Sequence, residues 1–236
     1  MRQEEQQPAV DRAALKHGGV SAIVGSLAFF GFRRAHGDLP AADAHAALRF
    51  ITEHPLYAGV HLGAILGVLA WVGGLIALAG TLRHGFARVL GRLGAVSVLV
   101  GAAVFIVEHS VDGVAGQDLA EAWGAAPSAD QADLELAAQT VFTMLRGISL
   151  TATAIIWGVA LVLFGRAVTL EGYPAWLGKT GSAIGATTIL GATALIFQPN
   201  LFPGVLLYGL LVSVVAQLWS LVLGLLMWRR AGGSSA

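Results

Sequence analysis

The stretch Phe105-Ile106-Val107-Glu108-His109-Ser110-Val111-Asp112-Gly113 carries an apolar run directly into two carboxylates and an imidazole. On a helix, Glu108 and Asp112 share one face because they are four residues apart, and His109 lies three residues from Asp112. Gly113 is a typical helix stop, which would place this acidic group at the negative end of the helix dipole. Near hydrocarbon such carboxylates need a cation, which can be an arginine, a metal ion or protons.

The composition indicates that a lipid bilayer surrounds much of the chain. Of the 236 residues, 56% are hydrophobic and 12% are charged, whereas a soluble domain carries about 25% charged residues. The mean hydropathy is +0.73. One soluble core of this size cannot hide so much apolar surface. We therefore expect an all-α, polytopic membrane helix bundle whose main partner is the lipid bilayer.

Charge and cysteine content argue against several classes of function. The formal net charge is zero, which argues against a nucleic-acid partner. The sequence contains no cysteine, so disulfides, thiolate metal sites and cysteine nucleophiles are all excluded.

Six apolar runs predict six transmembrane helices in a single membrane domain, residues 17–230. The approximate spans are 18–34, 57–82, 89–111, 137–165, 178–197 and 202–228. Residues 1–16 form a polar N-terminal lead, and residues 231–236 form a flexible tail. The first run is shorter than the ~20 residues that a spanning helix prefers, so a cleaved signal peptide is an alternative. Because Arg33-Arg34 follow this run directly, we interpret it as a retained span.

Two polar segments predict short helices on the outer side of the membrane. In residues 37–53, apolar positions indicate an amphipathic helix at the membrane surface. These positions are Leu39, Ala46, Leu48 and Phe50. Residues 112–136 form an outer excursion rich in carboxylates. Within it, Ser128 followed three residues later by Gln131 is a capping box, which predicts that Ser128 caps a helix continuing into the fourth span.

The distribution of charge predicts the orientation of the bundle. With both termini in the cytoplasm, the cytoplasmic segments hold most of the 14 basic residues, all but Arg33, Arg34, Arg49 and Arg146. The opposite side then holds most of the 14 acidic residues, all but Glu4, Glu5, Asp11 and Glu171. This is the positive-inside bias. Arg33 and Arg34 are its clearest exception, but the inverted orientation would make the bias worse.

Three features together resemble a known family. They are the order of six spans, the segment Val111-Asp112-Gly113…Asp118-Leu119-Ala120-Glu121-Ala122-Trp123, and the segment Tyr173-Pro174-Ala175-Trp176-Leu177-Gly178 that opens the fifth span. The chain is similar in these features to an uncharacterised family of bacterial six-helix integral membrane proteins, described only as a domain of unknown function. The resemblance implies this fold and a place in the bacterial cytoplasmic membrane. It transfers no activity and no catalytic residue.

The polar residues near the outer ends of the spans form a candidate pocket for a ligand or ion. Its members are His61, Glu108, His109, Asp112 and Arg146. Two interpretations remain open. Arg146 can pair with both carboxylates and join the third helix to the fourth. Alternatively, His61, Glu108, His109 and Asp112 are candidate ligands of a divalent transition metal, although the His-Glu-x-x-His spacing is missing.

Three classes of function are compatible with this pocket. The first is a multi-pass membrane protein that binds an ion or an amphiphilic small molecule, and it asks least of the sequence. The second is an intramembrane enzyme, dependent on a metal or on acid/base catalysis, with a lipid or isoprenoid substrate. The third is a small proton-coupled transporter with Glu108 or Asp112 as the proton carrier. Glycines four residues apart, as in Gly63 and Gly67, also leave oligomerisation through glycine-rich helices open.

Overall fold

Helices account for all the regular structure in the described part of the chain. The computed structural model describes residues 2–201 and 204–232. The helices are α1 (Arg2–His36), α2 (Ala44–Thr52), α3 (Tyr57–Thr81), α4 (Gly85–Ser110), α5 (Gly116–Ala125), α6 (Ser128–Thr153), α7 (Ala160–Leu170), α8 (Ala175–Phe197) and α9 (Val205–Gly232). Two π-helical segments, Val111–Ala115 and Ala154–Val159, join α4 to α5 and α6 to α7 without a break.

The prediction of an all-α fold with six membrane-spanning helices is confirmed at the level of length and apolarity. Within residues 2–201 and 204–232, 6 helical stretches are long and apolar enough to cross a membrane. They are Asp11–His36, Tyr57–Thr81, Gly85–Ala125, Ser128–Leu170, Ala175–Phe197 and Leu207–Gly232. Large apolar side chains on their outer faces, such as Leu66 and Leu190, are exposed. A bilayer is the solvent that such a surface requires.

Gly113 does not stop the third span, and that prediction is wrong. The helix passes through the π-helical segment around Gly113 and continues as α5 to Ala125. Tertiary packing explains the difference, because a Cβ on Gly113 would lie 2.5 Å from the Cβ of His61. The glycine therefore serves a close approach between helices, and its low helix propensity is overridden. The outer excursion, predicted at 112–136, is thus helical up to the turn at Ala126 and Pro127.

Ser128 does not cap α6, which corrects a second prediction. Pro127 occupies the N-cap position, Ser128 is the first helical residue, and no side chain forms a cap hydrogen bond there. The side-chain amide of Gln131 instead donates to the backbone carbonyl of Trp123 at 3.3 Å and to that of Ala126 at 3.4 Å. Gln131 thereby satisfies carbonyls at the end of α5. As predicted, the helix then continues into the fourth span.

A short helix, α2, forms within residues 37–53 and covers one end of the bundle, but its buried face differs from the predicted one. The face consists of Ala44, Ala47, Leu48 and Ile51, whereas Ala46 and Phe50 are only half-buried. Asp43 caps α2 by accepting a hydrogen bond from the backbone N–H of Ala46 at 3.1 Å. Its apolar face buries Leu48 and Ile51 against α5 and α6. These residues form a core with Tyr57 at the start of α3. The packing of α2 therefore fixes the position of Tyr57.

Glycines allow the backbones of the spanning helices to touch. On α1, a Cβ at Gly25 would lie 2.3 Å from the backbone nitrogen of Trp71 on α3. Gly63 and Gly67 face Phe32 and Ala28 of α1 in the same interface. Both glycines of that motif are therefore used within the chain, so the motif gives no support to an oligomer.

At the opposite end from α2, the turns between helices are held together by Glu171. Its carboxylate accepts hydrogen bonds from the backbone N–H groups of Arg83 at 3.0 Å and His84 at 3.1 Å. Partial burial by itself raises the pKa of the Glu171 carboxyl. The two backbone donors outweigh it, together with the His84 imidazole, whose Nδ1 lies 3.1 Å from Oε2, and they hold that pKa below its usual value. The carboxylate thus ties the α7–α8 turn to the α3–α4 turn.

We expect Glu171→Gln to lower stability at neutral pH by about 1–2 kcal/mol, because two hydrogen bonds lose their charge. A depressed carboxyl pKa contributes stability that is present above the unfolded-state pKa and is lost as the pH falls through the folded-state pKa. The gap between the melting temperatures of parent and variant in detergent should therefore close on acidification below about pH 4. Asp118→Asn, at an exposed carboxylate near the other end, is the control. A gap that is independent of pH would contradict this assignment.

Candidate metal centre

Three segments of the chain bring two imidazoles and a carboxylate together near the α2 end of the bundle. His36 is the last residue of α1, His61 lies one turn into α3, and Asp112 lies in the first π-helical segment. One ligand atom from each of the three residues lies within 4.8 Å of the other two. Asp112 Oδ2 is 3.2 Å from His61 Nε2 and 3.8 Å from His36 Nε2. We call these three residues the His–His–Asp cluster.

Both imidazole rings are oriented by a backbone carbonyl. The Nδ1 of His61 lies 2.9 Å from the carbonyl oxygen of Tyr57, and the Nδ1 of His36 lies 2.9 Å from that of Gly37. A carbonyl can only accept, so each Nδ1 carries the proton and donates it. Each Nε2 is then the atom that faces Asp112. Metal-binding histidines are held in this way, with one ring nitrogen on a carbonyl and the other on the metal.

Local backbone geometry at Gly37 explains how His36 gains its carbonyl partner. Gly37 has a φ of 69°, in the left-handed region that ends helices and that glycine adopts without strain. The guanidinium of Arg33, one turn earlier on α1, also donates to the Gly37 carbonyl at 2.9 Å. The helix end and its glycine cap therefore set the orientation of the His36 ring.

The Asp112 carboxylate is held from its other oxygen by a tyrosine. The hydroxyl of Tyr57 donates to Asp112 Oδ1 at 2.9 Å, which leaves Oδ2 facing the two imidazoles. A hydrogen bond of this kind orients a carboxylate ligand around a metal. Gly113 completes the arrangement, since any side chain there would collide with His61.

The Nε2 of His61 is buried 3.2 Å from Asp112 Oδ2, a separation at which the two atoms can share a proton or a metal ion. His61 is only 2% exposed, and its Nε2 has no hydrogen-bond partner among the described residues despite its closeness to Asp112. A buried polar atom without a partner costs about 1–3 kcal/mol. A cation between this nitrogen and the carboxylate would satisfy both groups.

The separations within the His–His–Asp cluster fit a divalent transition metal. Bonds of about 2.0–2.2 Å to nitrogen and oxygen at near-tetrahedral angles place ligand atoms about 3.3 Å apart. The His61–Asp112 separation of 3.2 Å meets this value, and the His36–Asp112 separation of 3.8 Å needs a small inward movement. The two imidazole nitrogens lie within 4.8 Å of each other, so His36 has to move towards His61 as well to share one ion. Two histidines and one carboxylate suit zinc or non-haem iron and leave further coordination positions open.

Glu108 and His109, which the sequence grouped with His61 and Asp112, form a neighbouring pair outside the cluster. His109 Nδ1 lies 3.3 Å from Glu108 Oε2, and the His109 ring stacks on Phe105 with centroids 3.7 Å apart. The centroid of the His109 ring is 5.4 Å from that of His61. The π-helical segment begins between Glu108 and Asp112, so the simple α-helical register that aligned these carboxylates does not hold.

The ion-pair interpretation for Arg146 is not supported by its position. Arg146 lies on an exposed part of α6 and forms no ion pair with Glu108 or Asp112 in the described structure. The groups that face Asp112 are instead the two imidazoles of the cluster. Spacing along one helix identifies residues that share a face, but it does not identify which neighbouring helix supplies the partner.

Sequence reasoning did not identify His36 and Tyr57 as members of the site, although a signal for both was present. In a bundle of six alternating spans, the end of the first, the start of the second and the end of the third lie on one side. His36, Tyr57 and Asp112 occupy these three ends. The topology, combined with a search for ligand-type side chains at those ends, would have selected them.

A small cavity borders the two histidines. Its volume is about 30 Å³, which is enough for a water molecule. It is lined by Phe29, Phe32, Arg33, His36, Val60, His61, Ala64 and His109. The lining is apolar except for the guanidinium and the imidazoles, so the cavity offers little beyond the cluster itself to bind a larger molecule.

Gly113→Ala should damage the site through sterics alone. The added methyl group would lie 2.5 Å from the His61 Cβ, and overpacking of this kind costs about 1–3 kcal/mol. We expect a lower melting temperature of the purified protein in detergent. Gly124→Ala on α5 is the matched control, because a Cβ there meets nothing within 4 Å and alanine favours the helix. Equal melting temperatures for the two variants would show that Gly113 is not a contact of His61.

Comparison with known proteins assigns neither a family nor an activity to this chain. It matches no protein-family model, no curated protein and no solved structure. The resemblance to the uncharacterised six-helix family therefore stays a prediction, and any function has to be argued from the geometry of the site.

Proposed function

We propose that this chain is a multi-pass membrane protein that binds one divalent transition-metal ion through His36 Nε2, His61 Nε2 and an oxygen of Asp112. The sequence already suggested an ion-binding pocket that contains His61 and Asp112, and the proposal keeps these two ligands. His36 replaces Glu108 and His109 as a ligand.

One observation carries the proposal. Two histidines from different helices each donate Nδ1–H to a backbone carbonyl, and both direct Nε2 towards the same carboxylate oxygen. Metal-binding histidines are held in this orientation, with one ring nitrogen on a carbonyl and the other on the ion. The Tyr57 hydroxyl supports the same interpretation, because it donates a hydrogen bond to Asp112 Oδ1 and so orients the carboxylate with Oδ2 towards the imidazoles.

The size of the adjoining space favours an ion over an amphiphile. The cavity of about 30 Å³ beside the cluster accepts a water molecule, whereas small-molecule sites usually have volumes of about 300–1,000 Å³. Three protein ligands leave at least one coordination position, and the cavity lined by His36 and His61 has room for a water molecule to fill it.

The ligand set can be tested with zinc as the probe. The full chain, purified in detergent and stripped with a chelator, should bind one zinc ion by calorimetry and elemental analysis. His36→Ala, His61→Ala and Asp112→Asn should each weaken binding more than about 100-fold, because losing a group that only supports a ligand already costs 10–100-fold. Tyr57→Phe leaves all three ligands in place, and it should weaken zinc binding by only about 10–100-fold.

Two controls separate the structural ligand set from the one suggested by the sequence. Glu108→Gln and His109→Ala should keep zinc affinity within about threefold, since neither side chain belongs to the His–His–Asp cluster. Circular dichroism and gel filtration would confirm that every variant is folded. Unchanged zinc binding in His36→Ala, or binding lost only in the two control variants, would refute the proposed site.

We place the site on the outer side of the bacterial cytoplasmic membrane, with both termini in the cytoplasm. Support comes from the positive-inside bias of the sequence. The folded chain keeps the α3–α4 and α7–α8 turns at one end through Glu171, and the His–His–Asp cluster lies at the other end with α2. A metal at this position would exchange with the external medium.

Cysteine labelling tests this orientation, because the chain has no native cysteine. A cysteine at Ser128, in the turn between α5 and α6, should react with a membrane-impermeant thiol reagent on intact cells. A cysteine at Ser234, which lies outside the described residues, should react only after the membrane is permeabilised. The reverse pattern would place the metal site in the cytoplasm.

A further inference from the structure

A basic groove lies at the end of the bundle opposite the His–His–Asp cluster. It runs between the end of α3 and the start of α4, beside Asp11 of α1, and has a volume of about 680 Å³. This volume is within the usual range for small-molecule sites. Three arginines line it, Arg83, Arg88 and Arg92.

Two of these arginines have no counter-ion in the described structure. Arg88 and Arg92 are four residues apart on α4 and therefore share one face, where like charges repel. Both side chains are exposed, and neither guanidinium forms an ion pair or a side-chain hydrogen bond with a described residue. Two adjacent guanidinium groups without a counter-ion can donate paired hydrogen bonds to the oxygens of a phosphate.

The third arginine is held in place and partly neutralised. The Arg83 side chain pairs with Asp11, and its backbone N–H donates to Glu171 at 3.0 Å. Arg83 therefore forms a fixed wall of the groove, while Arg88 and Arg92 supply its excess positive charge.

The remaining lining is apolar, and part of it lies on the outer, exposed faces of α3 and α4. Ile76 on α3 is 40% exposed and Val96 on α4 is 59% exposed, and both lie on membrane-spanning helices. Gly80 widens the groove, because a Cβ at this position would meet nothing within 4 Å. The groove thus joins an end lined by arginines to an apolar surface on two membrane-spanning helices.

We propose that this groove binds an anionic phospholipid, with the phosphate between Arg88 and Arg92 and an acyl chain along Ile76 and Val96. Charge complementarity selects an anionic headgroup, and the lipid-facing apolar wall selects a membrane lipid over a soluble phosphate. The site is independent of the metal site, because the two lie at opposite ends of the spanning helices.

Lipid titration by native mass spectrometry tests the proposal on the full chain. The probes are phosphatidylglycerol and phosphatidylcholine with identical acyl chains. The parent should retain phosphatidylglycerol in preference. The double variant R88Q/R92Q should lose that preference by about tenfold or more, the size expected for removing two arginines near a membrane surface. Gly80→Leu keeps every charge but fills the apolar part of the groove, and it should also reduce retention.

The matched control removes the same charge from the same end of the bundle. Arg166 and Lys179 are exposed beside the α7–α8 turn and do not line the groove, so R166Q/K179Q should bind phosphatidylglycerol like the parent. Equal losses in the two double variants would mean general attraction to anionic lipid and would overturn the site. Retention by Gly80→Leu, or no preference in the parent, would overturn it as well.

Discussion

The arrangement of the outer end of this protein depends on how one carboxylate, Asp112, is compensated. An isolated carboxylate buried in a medium of low dielectric constant is strongly disfavoured, and it has to be paired, hydrogen-bonded or neutralised. Here Tyr57 donates the only side-chain hydrogen bond to Asp112 among the described residues, and the two imidazoles that face the carboxylate compensate its charge only through a shared cation, a proton or a metal ion. These groups come from helices that are far apart in the chain. His36 from α1, Tyr57 and His61 from α3 all face this single side chain. Asp112 therefore gathers groups from three spans, which also meet through small residues, apolar packing and hydrogen bonds such as that from Ser21 Oγ to the Ala70 carbonyl at 2.6 Å.

The π-helical segment is what presents Asp112 to these partners. An α-helix with one residue inserted gains a local change of register, and such segments occur frequently at functional sites. Val111–Ala115 has this form, and it brings Gly113 close enough to His61 that no side chain fits between them. The π-helical segment, Gly113 and the His–His–Asp cluster therefore depend on one another structurally. A change in any of them alters the distance between the carboxylate and the imidazoles.

The sequence predicts the fold well because hydrophobicity and length decide which segments enter a bilayer. It predicts His61 and Asp112 as site residues because polar side chains near spanning segments are costly and need a reason. It does not predict the continuation through Gly113, since that depends on a contact with His61 on another helix. The pairing of Arg146 with Asp112 also depends on contacts between helices, and the described structure does not show this pair. Register within a helix can be read from spacing, but contacts between helices cannot.

The first span packs closely into the bundle. The helix α1 lies at backbone distance from α3 at Gly25 and buries Phe29 against the aromatic core. Removing it would expose the inner face of α3, including Trp71, which is fully buried. It would also take His36 away from Asp112 and leave the carboxylate with one imidazole. The first helix thus belongs to both the core and the proposed site.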